Sequence, residues 1–225
     1  MSTSPPKRKQ RRGLSRAQIV KAAVEYADQE GVEDLSMRHL AGTLGCGVMS
    51  LYNHIADKDD LLAAMVDAVA EEIEHPPPRP GGEGWRDDLK FCVTSAYKAM
   101  LNHPWVAGHW GRGNGPAKNA YHETVLRIMR QAGLSEELSC RGFHGLTMHV
   151  VGFALQVMEL RATMTDKQKV HALGHQALST LSEDEFPYLR EHVRLHLAGK
   201  DQRNDFKYMR DLILDGLVRD HAAES

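Results

Sequence analysis

Cysteine is scarce and poorly placed for chemistry. The 225 residues include three, Cys46, Cys92 and Cys140, an odd number without ligand-like spacing. Reduced, buried thiols are the expectation. No apolar run reaches the roughly 18 residues that a membrane-spanning helix needs. The N-terminus is basic but lacks the apolar stretch of a secretory signal. A cytoplasmic protein with no membrane partner is expected. Period-2 alternation bounded by turn residues is nearly absent, which argues against a strand-rich fold. Enzyme signatures are missing as well. His122-Glu123 has no second histidine four residues after the first, as a zinc-protease helix requires. The turn from Gly111 to Pro116 follows no strand, so it is no phosphate cradle. His171/His175 and His192/His196 have the spacing of metal ligands but no third ligand in sequence. No catalytic residue, metal or cofactor is expected, and the chain is not expected to be an enzyme.

Acidic residues are wholly absent from one stretch. Residues 1–20 carry Lys7, Arg8, Lys9, Arg11, Arg12 and Arg16 and no carboxylate. The remaining chain has 22 basic against 30 acidic side chains, so it is net acidic although the whole is only −2. A basic arm ahead of an acidic body is the asymmetry of a nucleic-acid-binding tail, or of a merely solvated one. Hydrophobic residues make up 42% and charged residues 26%, ordinary for a globular chain of one large or two smaller domains.

Apolar spacings of three and four recur throughout, predicting an all-α fold. Residues 1–14 are polar, contain Pro5 and Pro6, and read as a disordered arm. Ser15 and Gln18 form a capping box opening a helix that Gly31 stops. Ser36 starts a second, short helix that ends at Gly45, and a third runs from about Val48 to His54. Asp57 caps a fourth, over 58–74, with Leu61, Leu62, Met65, Val66, Val69 and Ile73 inward and Asp59 and Asp60 in its first turn. Residues 75–84 hold four prolines and three glycines, the clearest break in the chain. The boundary placed there gives an N-terminal domain at 15–75 and a second at 76–225. Beyond it, helices are expected at 84–102, 116–132, 135–163 and 201–220. Mobile helical pieces are expected between 164 and 200, where Thr165 and Gln168 form another capping box and Gly174, Pro187 and Gly199 interrupt the pattern.

Three short helices with Gly45 between the second and third outline a helix-turn-helix, in which the second props the third for entry into the major groove. The side chains sharpen this outline. Ser36, Arg38, Leu40, Ala41, Leu44, Gly45, Leu51, Tyr52, His54, Lys58, Leu61 and Leu62 resemble, in register, the DNA-binding signature of TetR-type repressors. The likeness covers residues 15–75 and extends more loosely into the second half. It implies a three-helix DNA-binding domain, a C-terminal helical ligand-binding and dimerisation bundle, and nine or ten helices in all. It also implies a ligand-responsive repressor that binds a palindromic operator in double-stranded DNA as a homodimer.

Tyr52, His54 and Lys58 can each reach a phosphate oxygen, and the N-terminus of the fourth helix adds N–H donors. Arg38 can reach a base edge or phosphate. Val48, Met49 and Ser50 form the tip of the recognition helix. Its apolar character favours thymine methyl contacts, with Asn53 as one polar contact. The arm at Lys7–Arg12 adds salt-dependent affinity or enters the minor groove.

Residues 138–160 are apolar nearly all round, with Gly142, Gly145 and Gly152 allowing close approach, so burial from every side in a dimer is expected. Phe206, Met209, Ile213, Gly216 and Leu217 mark a terminal helix. Candidate walls for a small hydrophobic or amphipathic effector are Trp85, Leu89, His103, Trp105, His109, Trp110, Tyr121, Val125, Met129, Met148 and Val151. The competing reading is a helical small-molecule-binding or interaction protein that does not touch DNA.

Overall fold

The computed structural model describes residues 14–163, 167–198 and 205–224. The basic arm at Lys7–Arg12 and Thr165 of the second capping box lie outside the described residues. Ten α-helices and no strand occur among the described residues, as the apolar periodicity requires.

The first four helices pack around one another. In α1 (Arg16–Glu30), the Ser15 hydroxyl accepts from the Gln18 N–H while the Gln18 side chain accepts from the Ser15 N–H, and Gly31 ends the helix at φ +94°. Ser36 caps α2 (Met37–Thr43), and Gly45 supplies the φ of +61° that turns the chain into α3 (Val48–Tyr52). That helix is shorter than the spacing predicts. The Asn53 and His54 N–H groups both fold back onto the Leu51 carbonyl, which closes the helix before His54. Asp57 caps α4 (Lys58–Ala70), which is followed by a turn through Ile73. Ile19 and Ala23 of α1, Leu40 of α2, Leu51 of α3 and Leu61, Met65 and Val69 of α4 share one core. Burial of each larger aliphatic side chain there stabilises by about 2 kcal/mol.

The Pro-rich stretch ends in a 3-10 turn at Pro80–Gly82. It leads to α5 (Trp85–Asn102), a second 3-10 turn at Ala107–His109, and α6 (Pro116–Gln131), with Pro116 at the first helical position. The long α7 (Glu136–Thr163) packs against α5, α6 and α10 (Asp205–Glu224). Gly142 permits this approach, since a Cβ there would meet Met129 Sδ at 2.8 Å and Leu217 Cδ1 at 3.0 Å. α7 is not buried all round in the single chain. His144, Met148, Gly152 and Leu155 form an exposed stripe along it. Cys140, expected to be buried, is also exposed, whereas Cys92 is buried and its thiol is pushed up to about 12 by desolvation.

The region from 167 to 198 is more regular than expected, forming α8 (Lys167–Thr180) and α9 (Pro187–Leu197), which pack on each other. Gly174 does not interrupt α8. It lets Leu197 approach, because a Cβ there would stand 2.7 Å from Leu197 Cδ2. Pro187 starts α9 instead of breaking a helix.

Candidate nucleic-acid interface

Placement of α3 is settled by its neighbours. Leu51 and Ile55 are fully buried, anchoring the helix and the turn after it. Arg16, at the start of α1, donates to the His54 carbonyl at 2.7 Å and to both oxygens of Asp60 at 2.6 and 2.9 Å. Asp60 also accepts from the Ala56 N–H at 2.8 Å. These bonds, the Arg16 side-chain contact foremost, hold the Asp60 carboxyl at about 2. The turn between α3 and α4 is thereby fixed from both sides.

What projects from this frame is polar, cationic or incongruously apolar. Met49 is 75% exposed at the tip of α3, flanked by half-buried Val48 and Ser50. Tyr52 is 45% exposed, Asn53 is exposed, and His54 is half-buried. Arg38 on α2 and Lys58 at the first position of α4 are exposed. Among the described residues neither has a carboxylate partner, whereas Arg16 and Lys21 on α1 are paired with Asp60 and Glu25. The eight residues singled out in sequence therefore lie on α2, α3, the following turn and the start of α4. A surface of two uncommitted cations, a phenol and an exposed thioether can hold phosphates and touch base methyl groups.

The other end of this unit is tied to the second half by contacts that sequence reasoning missed. Asp59, Ala63 and Asp67 fall at intervals of four along α4, on one face. Arg112 donates to Asp59 at 2.5 Å. Gly113, at φ +62°, lies so close to Ala63 that a Cβ would meet the Ala63 Cβ at 2.6 Å. Asp67 accepts from the Lys118 N–H at 2.9 Å. Lys118 is the third residue of α6, and Gly115 at the cap position offers no side chain, so a carboxylate from α4 caps α6. A Cβ on Gly115 would stand 2.1 Å from Asp67 Cγ. The buried Lys118 ammonium donates to the carbonyls of Gly113 at 2.7 Å and Arg112 at 3.3 Å, and lies 5.7 Å from the Trp110 ring centroid. Desolvation lowers its pKa and nearby Asp67 opposes the shift. Glycines ahead of a helix-starting proline were the available signal, because such a helix needs its cap from elsewhere.

The eleven candidate effector residues do not surround one cavity. Leu89, Trp105, Trp110, Tyr121, Val125 and Met129 are buried in packed core, Trp85, His103, His109 and Val151 are half-buried, and Met148 points outward at 64% exposure. Trp110 stands edge-on to Tyr121 at 6.0 Å and to His122 at 6.1 Å, and His122 meets Phe143 at 5.1 Å. Burial lowers the pKa of His122, and its Nε2 has no hydrogen-bond partner among the described residues. Trp105 and His109 line a hollow of about 350 Å³ shared with Val32 and Met158. His103 lines a wider cleft of about 1000 Å³ between α1, α4 and the start of α6. No group of three or more histidine, cysteine, aspartate or glutamate side chains among the described residues could hold a metal ion, and no helix among them is long and apolar enough to cross a membrane.

Comparison with known proteins agrees with this arrangement. Residues 19–65 match the family described as bacterial regulatory proteins, tetR family, and residues 77–220 match the tetracyclin repressor-like C-terminal domain. The HTH-type transcriptional repressor DrrR1 of Streptomyces coeruleorubidus is 33% identical over 199 residues, covering 80% of this chain and 73% of that protein. The crystal structure of apo ActR from Streptomyces coelicolor superposes with a TM-score of 0.79 at 29% identity, covering 95% of this chain and 99% of that one. ActR in complex with actinorhodin gives 0.76 at 30% identity, over 92% and 98%. The chain belongs to the tetR family of bacterial regulatory proteins and is a helix-turn-helix transcription regulator.

Proposed function

We propose that this regulator represses by binding a two-fold operator as a homodimer and lets go when a small hydrophobic or amphipathic effector enters its helical bundle. The observation that carries the reading is α3 itself. One side of the helix is locked into core through Leu51, while Met49 stands in solvent, and Arg38 and Lys58 are exposed cations without a carboxylate partner among the described residues. Arg38, Tyr52, His54 and Lys58 hold phosphates, with the N-terminus of α4 adding N–H donors. Val48 and Met49 meet thymine methyl groups, and Ser50 and Asn53 supply polar base contacts. The arm at Lys7–Arg12 adds salt-dependent affinity.

A second copy is the occupant proposed for the exposed stripe on α7 and the adjoining Met209, Leu212 and Gly216 of α10. Covering this stripe supplies the burial that an apolar helix needs and sets two recognition helices about 34–36 Å apart, one turn of the operator. Residues 15–75 act as the DNA-binding domain and 76–225 as the effector and dimerisation domain. The structure of ActR with actinorhodin supports a ligand response here. The effector parts the side chains among Trp85, Leu89, His103, Trp105, His109, Trp110, Tyr121, Val125, Met129 and Val151, while Met148 goes to the stripe that the second copy covers. Tyr121 and Val125 sit on α6, whose N-terminus is capped by Asp67 of α4. Movement of α6 thus reaches α4 and shifts the population away from the DNA-competent spacing.

The test is binding of the full chain to its own upstream DNA and to genome-selected fragments across a salt series. Nanomolar binding with a steep salt slope is expected, and Lys58→Ala should reduce that slope by about 1. Tyr52→Phe should weaken affinity further. Absence of any selected site, or indifference to both changes, overturns the reading.

A further inference from the structure

His103, the residue that closes α5, stands where three segments meet. Its Nδ1 is 2.9 Å from both carboxylate oxygens of Asp28, on α1. Its Nε2 is 3.1 and 3.2 Å from the two oxygens of Glu72, just past the end of α4. The side chain is only 12% exposed. The Trp105 indole N–H donates to Asp28 at 2.8 Å, so the chain after α5 grips α1 twice. The Asp28 carboxylate has a second donor. Among the described residues Glu72 has none, and its side chain is 49% exposed.

We propose that His103 is a proton-operated latch, in which the doubly protonated ring ties α1 and the end of α4 to the bundle and the singly protonated ring releases Glu72. A carboxylate only accepts hydrogen bonds, and a neutral imidazole carries one N–H and one lone pair. Both contacts are therefore satisfied at once only when both ring nitrogens bear protons. When one proton leaves to solvent, the remaining N–H stays on Nδ1, where Trp105 fixes Asp28 at the shorter distance. The Nε2 lone pair then faces the Glu72 carboxylate, which turns to water. α4 loses the tether at its far end while its first residue, Lys58, lies in the proposed DNA surface. The latch rests on the DNA-binding reading for its consequence, though not for its chemistry.

Carboxylates face the cleft from two elements. Glu25 and Asp28 face the cleft from α1, and Glu71 and Glu72 face it from the end of α4. His109 lies across the Trp105 ring, 6.4 Å from its centroid. The cations of the cleft, Arg16 and Lys21, belong to its other end and pair with Asp60 and Glu25. His103 is thus a positioning residue for the DNA-binding helices, acting through two carboxylates.

The experiment uses the full chain, its Glu72→Gln and His103→Gln variants, and two readouts followed across a pH series. Nitrogen-15 shifts of the His103 ring should show two protonated nitrogens at the acidic end and Nδ1–H alone at the basic end. Operator affinity should change across the same interval by about fivefold or more, the usual size of coupling between sites. Every other histidine is common to all three proteins, so its contribution cancels in the comparison. Glutamine at position 72 accepts from Nε2–H or donates to a bare Nε2, so Glu72→Gln should lose the step that His103→Gln also loses. Glu72 is exposed enough that this variant should fold. One protonation state of the ring throughout, or both variants keeping the parent's pH profile, overturns the latch. Failure to bind any DNA would count against the functional reading, while the ring shifts would still decide the latch.

Discussion

Replacing Asp67 with alanine should separate the two halves of the molecule energetically without touching either core. Asp67 caps α6 across 51 residues of sequence. Loss of a capping side chain costs about 0.5–2 kcal/mol, and the charged acceptor at a helix N-terminus places this cap in the upper part of that range. Lys118 is buried with only two carbonyl acceptors for its ammonium, and removing Asp67 deletes the nearby negative charge that offsets its desolvation. Together these give a loss of about 2 kcal/mol, or about 4–8 °C in Tm for a chain of this size. Asp67→Asn keeps a good capping oxygen and loses only the charge, so it should cost about half as much. The assay is thermal unfolding at fixed protein concentration, with amide hydrogen exchange at Lys118. That amide should lose protection by tenfold or more in the alanine variant. An alanine variant within about 0.5 kcal/mol of the parent, or an asparagine variant equally damaged, would refute the cap.

Four further variants test other parts of the structure. Gly113→Ala combines a left-handed φ with a 2.6 Å approach to Ala63 and should destabilise by about 1–3 kcal/mol in urea unfolding. Gly108→Ala, which meets nothing within 4 Å, should change stability by no more than about 0.5 kcal/mol. Arg16→Ala should weaken operator binding by loosening the turn at His54, and should cost only about 1 kcal/mol of stability because the pair is partly exposed. Since the Asp60 carboxyl is held at about 2, that stability is complete above about pH 4 and fades as pH falls through 2, which an acid titration of both proteins would show. His75, His122 and His149 are all shifted down, chiefly by burial. Their neutral forms therefore favour the folded state fully above about pH 6.5, and stability should decline as pH drops below that value. His149→Gln should flatten part of the slope in urea midpoints taken from about pH 5 to 8.

Local chemistry was legible in the sequence, and distant meetings were not. Ser15 with Gln18, Ser36, Asp57, Gly31 and Gly45 announced helix ends, because a cap is decided within four residues. The end of α3 was misjudged by two residues, since its closure depends on hydrogen bonds back to Leu51. Gly174 and Pro187 read as interruptions because propensity cannot see Leu197 approaching the one or the other opening a new helix. The eight residues proposed to face DNA could be nominated from motif and chemistry. The partners of Asp59, Asp67 and His103 could not, because a pattern along the chain carries no distance between residues that lie 31 to 75 positions apart. Aromatic density around Trp105, Trp110 and Tyr121 told of packing mass, but the volume left between such rings is set only by their final orientations.

The face of α4 that carries Asp59, Ala63 and Asp67 has a consequence for anyone building hybrid regulators. The prolines at 76–78 look like the natural seam, yet a splice there takes α4 from one parent and its mating loop from the other. Two glycines in that loop leave no room for a stranger's side chains. A graft that transplants residues 111–118 together with α4 would keep the joint intact. The proposed base-reading tip of α3, where Met49 is 75% exposed, could then be altered without disturbing the joint.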